Sequence, residues 1–151
     1  MNQPAQTGKH PKGLYVLFFT EMWERFGYYL MVGILFLFMT NSSGKGLPKA
    51  MGADVVGTFI ALVYLTPFIG GLLADRYLGY IKSIFIGGAL MAAGYLTIAL
   101  PGEYTAYIAM GLIIVGNGFF KPNISTLLGN MYNREDLRPL KDNAYNIFYM
   151  G

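Results

Sequence analysis

The amino-acid sequence predicts an all-α membrane protein, a helical bundle of four transmembrane helices followed by the start of a fifth. Three observations support this fold class. Hydrophobic residues make up 54% of the 151 residues and charged residues only 13%, whereas a soluble domain carries about 25% charged residues. Several uncharged runs reach about 20 residues, the length that crosses a bilayer as a helix. Links rich in Gly, Pro, Asn and charged residues separate these runs and predict the turns between helices.

The elements follow in chain order. Residues 1–12 are polar and predict a cytoplasmic tail, which precedes a partial N-terminal helix bundle over residues 13–151. As a helix, the first span extends over roughly 39 Å, enough to cross a bilayer with some tilt. In the third span, small residues lie four apart in two pairs, Gly88 with Ala92 and Ala89 with Ala93, and they suit a close helix contact. The predicted spans cover about residues 14–39, 55–74, 83–101, 104–132 and 143–151, the last one truncated.

The cations of the predicted links indicate the orientation of the spans. Most of them lie on one side of the membrane, namely Lys9, Lys12, Arg76, Lys82, Arg134, Arg138 and Lys141. Only Lys45 and Lys49 lie on the other side. Because positive loops stay in the cytoplasm, we expect a multi-pass protein of the cell (inner) membrane with a cytoplasmic N-terminus. His10 is the sole histidine and lies in the polar tail, where we expect a surface residue.

The first span contains three charged residues, Glu21, Glu24 and Arg25, within an apolar and aromatic run. Their spacing places them on one face of a helix, which Tyr28 and Tyr29 continue. Glu21 and Arg25 are four residues apart with the acid nearer the N-terminus, the favourable order for an ion pair. Each ionised group in hydrocarbon costs at least about 2.5–3.5 kcal/mol, so these side chains must pair, face protein or line a wet cavity. The surplus carboxylate can stay neutral by holding a proton.

Two other spans carry polar residues at a similar predicted depth. Lys121 in the fourth span lies roughly 16 Å from the cytoplasmic end, and Tyr64 in the second roughly 15 Å. The charged stripe of the first span lies roughly 10–17 Å deep. Three helices thus place polar groups in one layer, the pattern of a solvated mid-membrane site. The alternative is that Lys121 snorkels to an interface, but its stem is too short at this depth.

Several stretches resemble motifs of the proton-dependent oligopeptide transporter family, which belongs to the major facilitator superfamily. The run EMWERFGYY at 21–29 resembles the family's first-helix signature, and GFFKPNIS at 118–125 its fourth-helix motif. GLLADRYLG at 71–79 is similar to the superfamily's motif between helices two and three. FYMG at 148–151 resembles the opening of the fifth-helix signature. The resemblance runs from about residue 13 to the end of the chain.

The resemblance implies a major-facilitator-type helical bundle and a proton-coupled symporter that takes up di- and tripeptides by alternating access. It implies protons as the coupling ion and no other cofactor. The implied proton-coupling residues are Glu21, Glu24, Arg25 and Lys121. The implied substrate-binding residues are Arg25, Tyr28, Tyr29, Tyr64, Lys121 and Asn117. The implied conformational latch comprises Gly71, Asp75, Arg76 and Gly79.

The chain departs from the family pattern at two positions. Val32 stands where many members carry a second arginine on the charged stripe, so Arg25 and Lys121 are the cations left to hold a carboxylate. Tyr80 stands where the family often has a basic residue, with Lys82 as the nearby cation, and we therefore expect a weaker latch.

The expected partners are small peptides, the lipid bilayer and the missing C-terminal helices of the same transporter. The superfamily pattern implies two six-helix bundles, of which this chain resembles the first third. The net charge of +3 reflects lysines and arginines of the links and does not indicate a nucleic-acid partner.

Three alternatives stay open at this point. The transporter could carry another small anion or a drug-like molecule. The charged residues could serve only helix packing. An intramembrane enzyme could use Glu21 and Glu24 as acid and base. The sequence disfavours the enzyme, because it has no Cys, no membrane His and no spaced metal-ligand set, so we predict a protein that is not an enzyme and binds no metal.

Overall fold

A computed structural model describes residues 9–150 of the chain, and the elements in that part are all helical. This confirms the predicted all-α class. Residues 1–8 of the predicted tail and Gly151 of the fifth span lie outside the described residues. The long helices are α1 (Lys12–Thr40), α2 (Lys49–Leu73), α3 (Tyr80–Ile98), α4 (Thr105–Met131) and α5 (Lys141–Tyr149). A π-helical turn (Ala74–Leu78) follows α2, and a 3-10 turn (Arg138–Leu140) precedes α5.

Three of the described helices are long and apolar enough to cross a membrane: α1, α2 extended through its π-helical turn, and α3. The α4 helix has 27 residues and is long enough. Its polar residues Asn117, Lys121 and Asn123 lower its hydropathy below that of the other three. The crossing of the membrane by α4 therefore stays a prediction.

Several helix ends differ from the predicted spans, and two of the differences have a clear local cause. The α2 helix begins at Lys49, before the predicted start at residue 55, because Pro48 caps its first turn with an extended backbone. A proline just before a helix sets the chain direction without removing a needed donor. The α3 helix ends at Ile98 rather than at residue 101, where Pro101 and Gly102 prevent another helical turn.

The chain divides into two compact units, and α1 and α4 each contribute to both. The first unit comprises Met1–Leu30 and Ser125–Gly151, of which 9–30 and 125–150 are described. The second unit comprises Met31–Ile124. The charged stripe therefore belongs to the first unit, whereas Tyr64, Lys121 and the predicted latch belong to the second.

Glycines bring the helices of the second unit into backbone contact. A Cβ atom on Gly87 of α3 would lie 2.6 Å from the carbonyl oxygen of Gly116 in α4. Gly88 and Ala92 do not form this contact, because Gly88 is half-buried and Ala92 is exposed. The contact stripe lies one residue earlier and continues through the buried Gly94. Small residues at such contacts allow the van der Waals packing that associates helices in lipid.

The Gly118 carbonyl of α4 lies against α2. Because Pro122 has no N–H group, it cannot donate the helical hydrogen bond to this carbonyl. A Cβ atom on Gly70 of α2 would overlap the Gly118 carbonyl, so only a glycine fits there. One turn earlier on α2, the Thr66 hydroxyl donates to the carbonyl of Ile114 over 3.0 Å. The two contacts fix α2 on α4 one turn before Pro122.

In the first unit, the segment before α1 contacts Tyr132, which follows α4, and Asn143 of α5. Tyr132 is fully buried, and its hydroxyl lies 2.7 Å from Nδ1 of His10. The side-chain nitrogen of Asn143 lies 3.3 Å from Nε2 of the same ring. His10 is therefore a partly exposed residue with two polar neighbours that the sequence did not predict. The two polar neighbours hold the half-buried imidazole in place. Its position in the sequence had placed it in the polar tail.

We expect the Tyr132→Phe substitution to lower the free energy of unfolding by about 1 kcal/mol, the usual value of one buried hydrogen bond. The ring still fills its buried site, so the loss isolates the hydroxyl contact with His10. The measurement is thermal unfolding of the detergent-solubilised whole protein. The matched control is Tyr104→Phe, since Tyr104 is exposed. Equal melting of the two variants would contradict this prediction.

Candidate functional site

An ion pair within α1 forms the centre of the candidate site. Nε of Arg25 donates to Oε1 of Glu21 over 3.0 Å. The Glu21 side chain is 2% exposed and the Arg25 side chain 29%, so the carboxylate faces the interior and the guanidinium reaches its edge. The spacing of four residues thus produces the contact that the sequence predicts. The other carboxylate oxygen of Glu21 has no hydrogen-bond partner among the described residues.

A second carboxylate lies one turn further along the same helix. Glu24 is only 7% exposed. Two buried carboxylates therefore lie within one turn of a single guanidinium.

A cleft of about 610 Å³ opens beside Arg25, between α1 and α5 of the first unit. This volume lies within the roughly 300–1,000 Å³ typical of small-molecule sites. The guanidinium carbon lies 6.0 Å from the ring centroid of Tyr149, within cation–π range. The cleft combines the polar groups of Arg25, Tyr29 and Tyr149 with the apolar side chains of Met22, Phe26, Leu30 and Met150.

The two predicted tyrosines of α1 have different surroundings. Tyr29 is exposed and lines the cleft, whereas Tyr28 is buried. Their rings meet edge to face, with 5.5 Å between centroids. Tyr29 is thus placed to contact a ligand in the cleft, and Tyr28 supports it from the interior.

The remaining predicted binding residues lie in the second unit. Asn117 and Lys121 are four residues apart on α4, which places them on one helical face. Asn117 is fully buried, and Lys121 is half-buried. Tyr64 is exposed on α2. The convergence of these residues with the charged stripe stays a prediction.

The predicted latch lies around the π-helical turn after α2. The N–H of Gly79 donates to the carbonyl of Ala74 over 2.8 Å and closes this wide turn. Gly79 has φ of 76°, a left-handed conformation that favours glycine. Asp75 and Arg76 are both exposed on the turn. The turn therefore presents the two charged residues outward, and their action as a latch stays a prediction.

The sequence did not indicate that Tyr149 of α5 lies beside Arg25. Tyr145 and Tyr149 are four residues apart, which was the available signal that they share a helical face. The contact between His10 and Tyr132 was not predicted either, because the sequence contains no local signal for it. Within the described residues, no group of three or more His, Cys, Asp or Glu side chains could hold a metal ion.

Three helices that are long and apolar enough to cross a membrane indicate an integral membrane protein. The family model of the POT family matches residues 81–151. The uncharacterized transporter YclF of Bacillus subtilis is 44% identical over 146 residues, which cover 94% of this chain and 29% of the relative. The di-/tripeptide transporter of Lactococcus lactis subsp. lactis is 44% identical over 147 residues, which cover 93% of this chain and 29% of the relative.

Solved structures agree with these relatives. The structure of a peptide transporter POT in complex with sulfate is 42% identical in sequence, with a TM-score of 0.89. The match covers 96% of this chain and 30% of the chain of that transporter. A POT family transporter in complex with 5-aminolevulinic acid is 36% identical with a TM-score of 0.89, covering 96% and 31%.

The chain is thus similar to the POT family, a family of transporters rather than enzymes. This confirms the resemblance of its sequence motifs to that family and the helical fold class that the resemblance implies. The chain spans about 29% of the length of the curated relatives that it matches.

Proposed function

We propose that the whole protein containing this chain takes up di- and tripeptides by proton-coupled symport with alternating access. The observation that carries the proposal is the ion pair of Glu21 and Arg25, with a second buried carboxylate, Glu24, one turn away. Relatives named di-/tripeptide transporters support the choice of substrate. The residues proposed for proton coupling are Glu21, Glu24, Arg25 and Lys121.

The proposed mechanism couples the charge of the acids to the availability of the cations. When Glu21 or Glu24 takes up a proton, its attraction for Arg25 or Lys121 weakens. The released cation then binds the terminal carboxylate of the peptide. A state with proton and peptide bound differs in interaction free energy from the empty state, and this difference biases the rocking of one helix bundle against the other.

The remaining assignments extend the same proposal. The substrate site comprises Arg25, Tyr28, Tyr29, Tyr64, Asn117 and Lys121. The latch comprises Gly71, Asp75, Arg76 and Gly79, and it is released when the bundles rock. The N-terminus is cytoplasmic in the cell (inner) membrane, and the partners are lipid and the C-terminal helices of the same transporter. Residues 13–151 form part of the N-terminal bundle, with protons as the coupling ion and no other cofactor.

A second candidate substrate is a small non-peptide anion. The cation at the edge of the cleft, Arg25, attracts any carboxylate, since its planar guanidinium fits that group. The complexes of two solved relatives with sulfate and with 5-aminolevulinic acid motivate the same candidate. Both molecules therefore serve as competitors in the experiment below.

The test measures labelled dipeptide uptake by proteoliposomes of the whole protein under an inward proton gradient. One proton crossing 100 mV contributes about 2.3 kcal/mol, which supports roughly 50-fold accumulation at one proton per peptide. We expect Glu24→Gln and Lys121→Gln to abolish this accumulation. The matched control is Lys49→Gln, which removes a cation at the start of α2.

Full proton-driven accumulation in either site variant would overturn the assignment of coupling residues. The anion transporter would be favoured if sulfate or 5-aminolevulinic acid inhibited dipeptide uptake and the dipeptide itself did not accumulate above its external concentration. Dipeptide uptake by the wild type that is independent of the proton gradient would overturn the symport proposal.

A further inference from the structure

A cavity of about 370 Å³ lies between α2 and α4 in the second unit, and it shares no lining residue with the cleft beside Arg25. Its volume falls within the roughly 300–1,000 Å³ that is typical of small-molecule sites. Phe59 of α2 and Met110 of α4 are buried and line its interior. Further apolar side chains make up most of the wall, namely Met51, Val55, Leu62 and Ile114. The cavity can therefore bury an apolar molecule of small size.

A glycine of α4 keeps this cavity open. Gly111 lines the cavity, and a Cβ atom on it would have no neighbour within 4 Å. Tyr107 and Ile114 lie four residues before and three residues after it, so the three residues share one helical face. Both of these neighbours also line the cavity. A longer side chain at position 111 would therefore extend into the cavity without disturbing the contact between the helices.

The polar residues of the cavity favour a cation over an anion. Asp54 lines the cavity, and its carboxylate forms no ion pair within residues 9–150. Among the described residues that line the cavity, none carries a positive charge. Tyr107 contributes an aromatic ring, and the face of such a ring attracts cations. Thr58, one turn after Asp54 on the same helix, adds a hydroxyl that can accept a hydrogen bond from an ammonium group.

We propose that this cavity is a second binding site of the protein, for a small organic cation with one ammonium group on an apolar body. The ammonium group binds at Asp54 and Tyr107, and the apolar body fills the space that Gly111 leaves open against Phe59 and Met110. Burial of the body supplies most of the affinity, because an ion pair with an exposed carboxylate contributes little. The inference does not depend on peptide uptake, since it uses none of the residues proposed for the peptide site.

The experiment measures saturable binding of labelled phenethylamine to the purified whole protein in nanodiscs, with the signal of empty nanodiscs subtracted. Phenylethanol is the comparison ligand, because a neutral hydroxyl replaces the ammonium group. We expect Asp54→Asn to raise the Kd of the amine roughly two- to five-fold, the range of one exposed ion pair, and to leave that of the alcohol unchanged. Gly111→Leu fills the cavity and should abolish saturable binding of both ligands.

The matched control is Gly57→Leu. A Cβ atom on Gly57 of α2 also has no neighbour within 4 Å, but Gly57 does not line the cavity, so this variant should bind both ligands like the wild type. Absent saturable binding in the wild type, wild-type binding in Gly111→Leu, or an amine Kd that Asp54→Asn leaves unchanged would overturn the inference. If Gly111→Leu does not reach the membrane, Gly111→Met takes its place with the same expected result.

Competition identifies the source of the ammonium group. Displacement of labelled phenethylamine by a dipeptide with a free amino terminus, but not by its N-acetylated form, would support the site and assign the group to the peptide. Displacement by neither peptide, with the expected effects of Asp54→Asn and Gly111→Leu, would support a site for a separate amine. Equal displacement by both peptides would contradict the preference for a cation.

Discussion

Proteoliposomes that contain the Glu21→Gln variant are expected to lose proton-driven peptide accumulation and to retain exchange of peptide across the membrane. Glutamine has the shape of a protonated glutamic acid but cannot release the proton. The variant therefore keeps Arg25 permanently released from its ion pair. Accumulation should fall from roughly 50-fold at 100 mV to about the external concentration. The measurement compares gradient-driven uptake with counterflow of labelled dipeptide in the same vesicles.

Two further variants separate coupling from packing. Glu103→Gln removes an exposed acid of the α3–α4 turn and should leave uptake unchanged. The double variant Glu21→Gln/Arg25→Gln removes both charges, so no unpaired charge is left in the protein interior. If the charges served only helix packing, the double variant would fold and accumulate peptide normally, and that result would contradict the prediction.

The second large effect concerns stability. Gly70→Ala is expected to destabilise the protein by about 3 kcal/mol, at the upper end of ordinary overpacking. Its new Cβ would overlap the Gly118 carbonyl, which is backbone and cannot rotate away. We expect most of the variant to be absent from the membrane fraction and the remainder to melt at a lower temperature in detergent.

The chain offers a matched control for this substitution in the same helix. A Cβ atom on Gly57 of α2 would have no neighbour within 4 Å. Gly57→Ala should therefore match or exceed the wild-type melting temperature, since alanine favours a helix by up to about 1 kcal/mol over glycine. Equal melting of the two alanine variants would show that the α2–α4 contact relaxes, against the expectation.

The helices and the ion pair could be predicted because they depend on neighbours in sequence. Long apolar runs predicted α1, α2 and α3, and the spacing of Glu21 and Arg25 predicted their contact. The start of α2 was less predictable, because Lys49 and Asp54 are charged and the apolar pattern begins only after them. A helix can continue into the aqueous layer and carry charged residues there, but a prediction from hydropathy leaves those residues out of the span.

The partner of a helical face could not be predicted in the same way. In α3, the stripe containing Gly88 and the stripe containing Gly87 are equally regular in sequence. Adjacent residues point about 100° apart on a helix, so choosing between them requires the position of α4. The carbonyl of Gly116 decides it, because it approaches Gly87 more closely than any side chain would permit.

By itself, the sequence determined that this protein is helical, that it belongs in a membrane, and that Glu21 and Arg25 share one helical face. Hydrophobicity and the helical repeat act over a few residues, so they can be read without knowing the fold. Only the tertiary structure decided that Tyr149 lies beside Arg25 and that His10 contacts Tyr132, a residue 122 positions away. Such contacts depend on how distant helices pack, because close packing selects one set of neighbours from many that the local pattern allows.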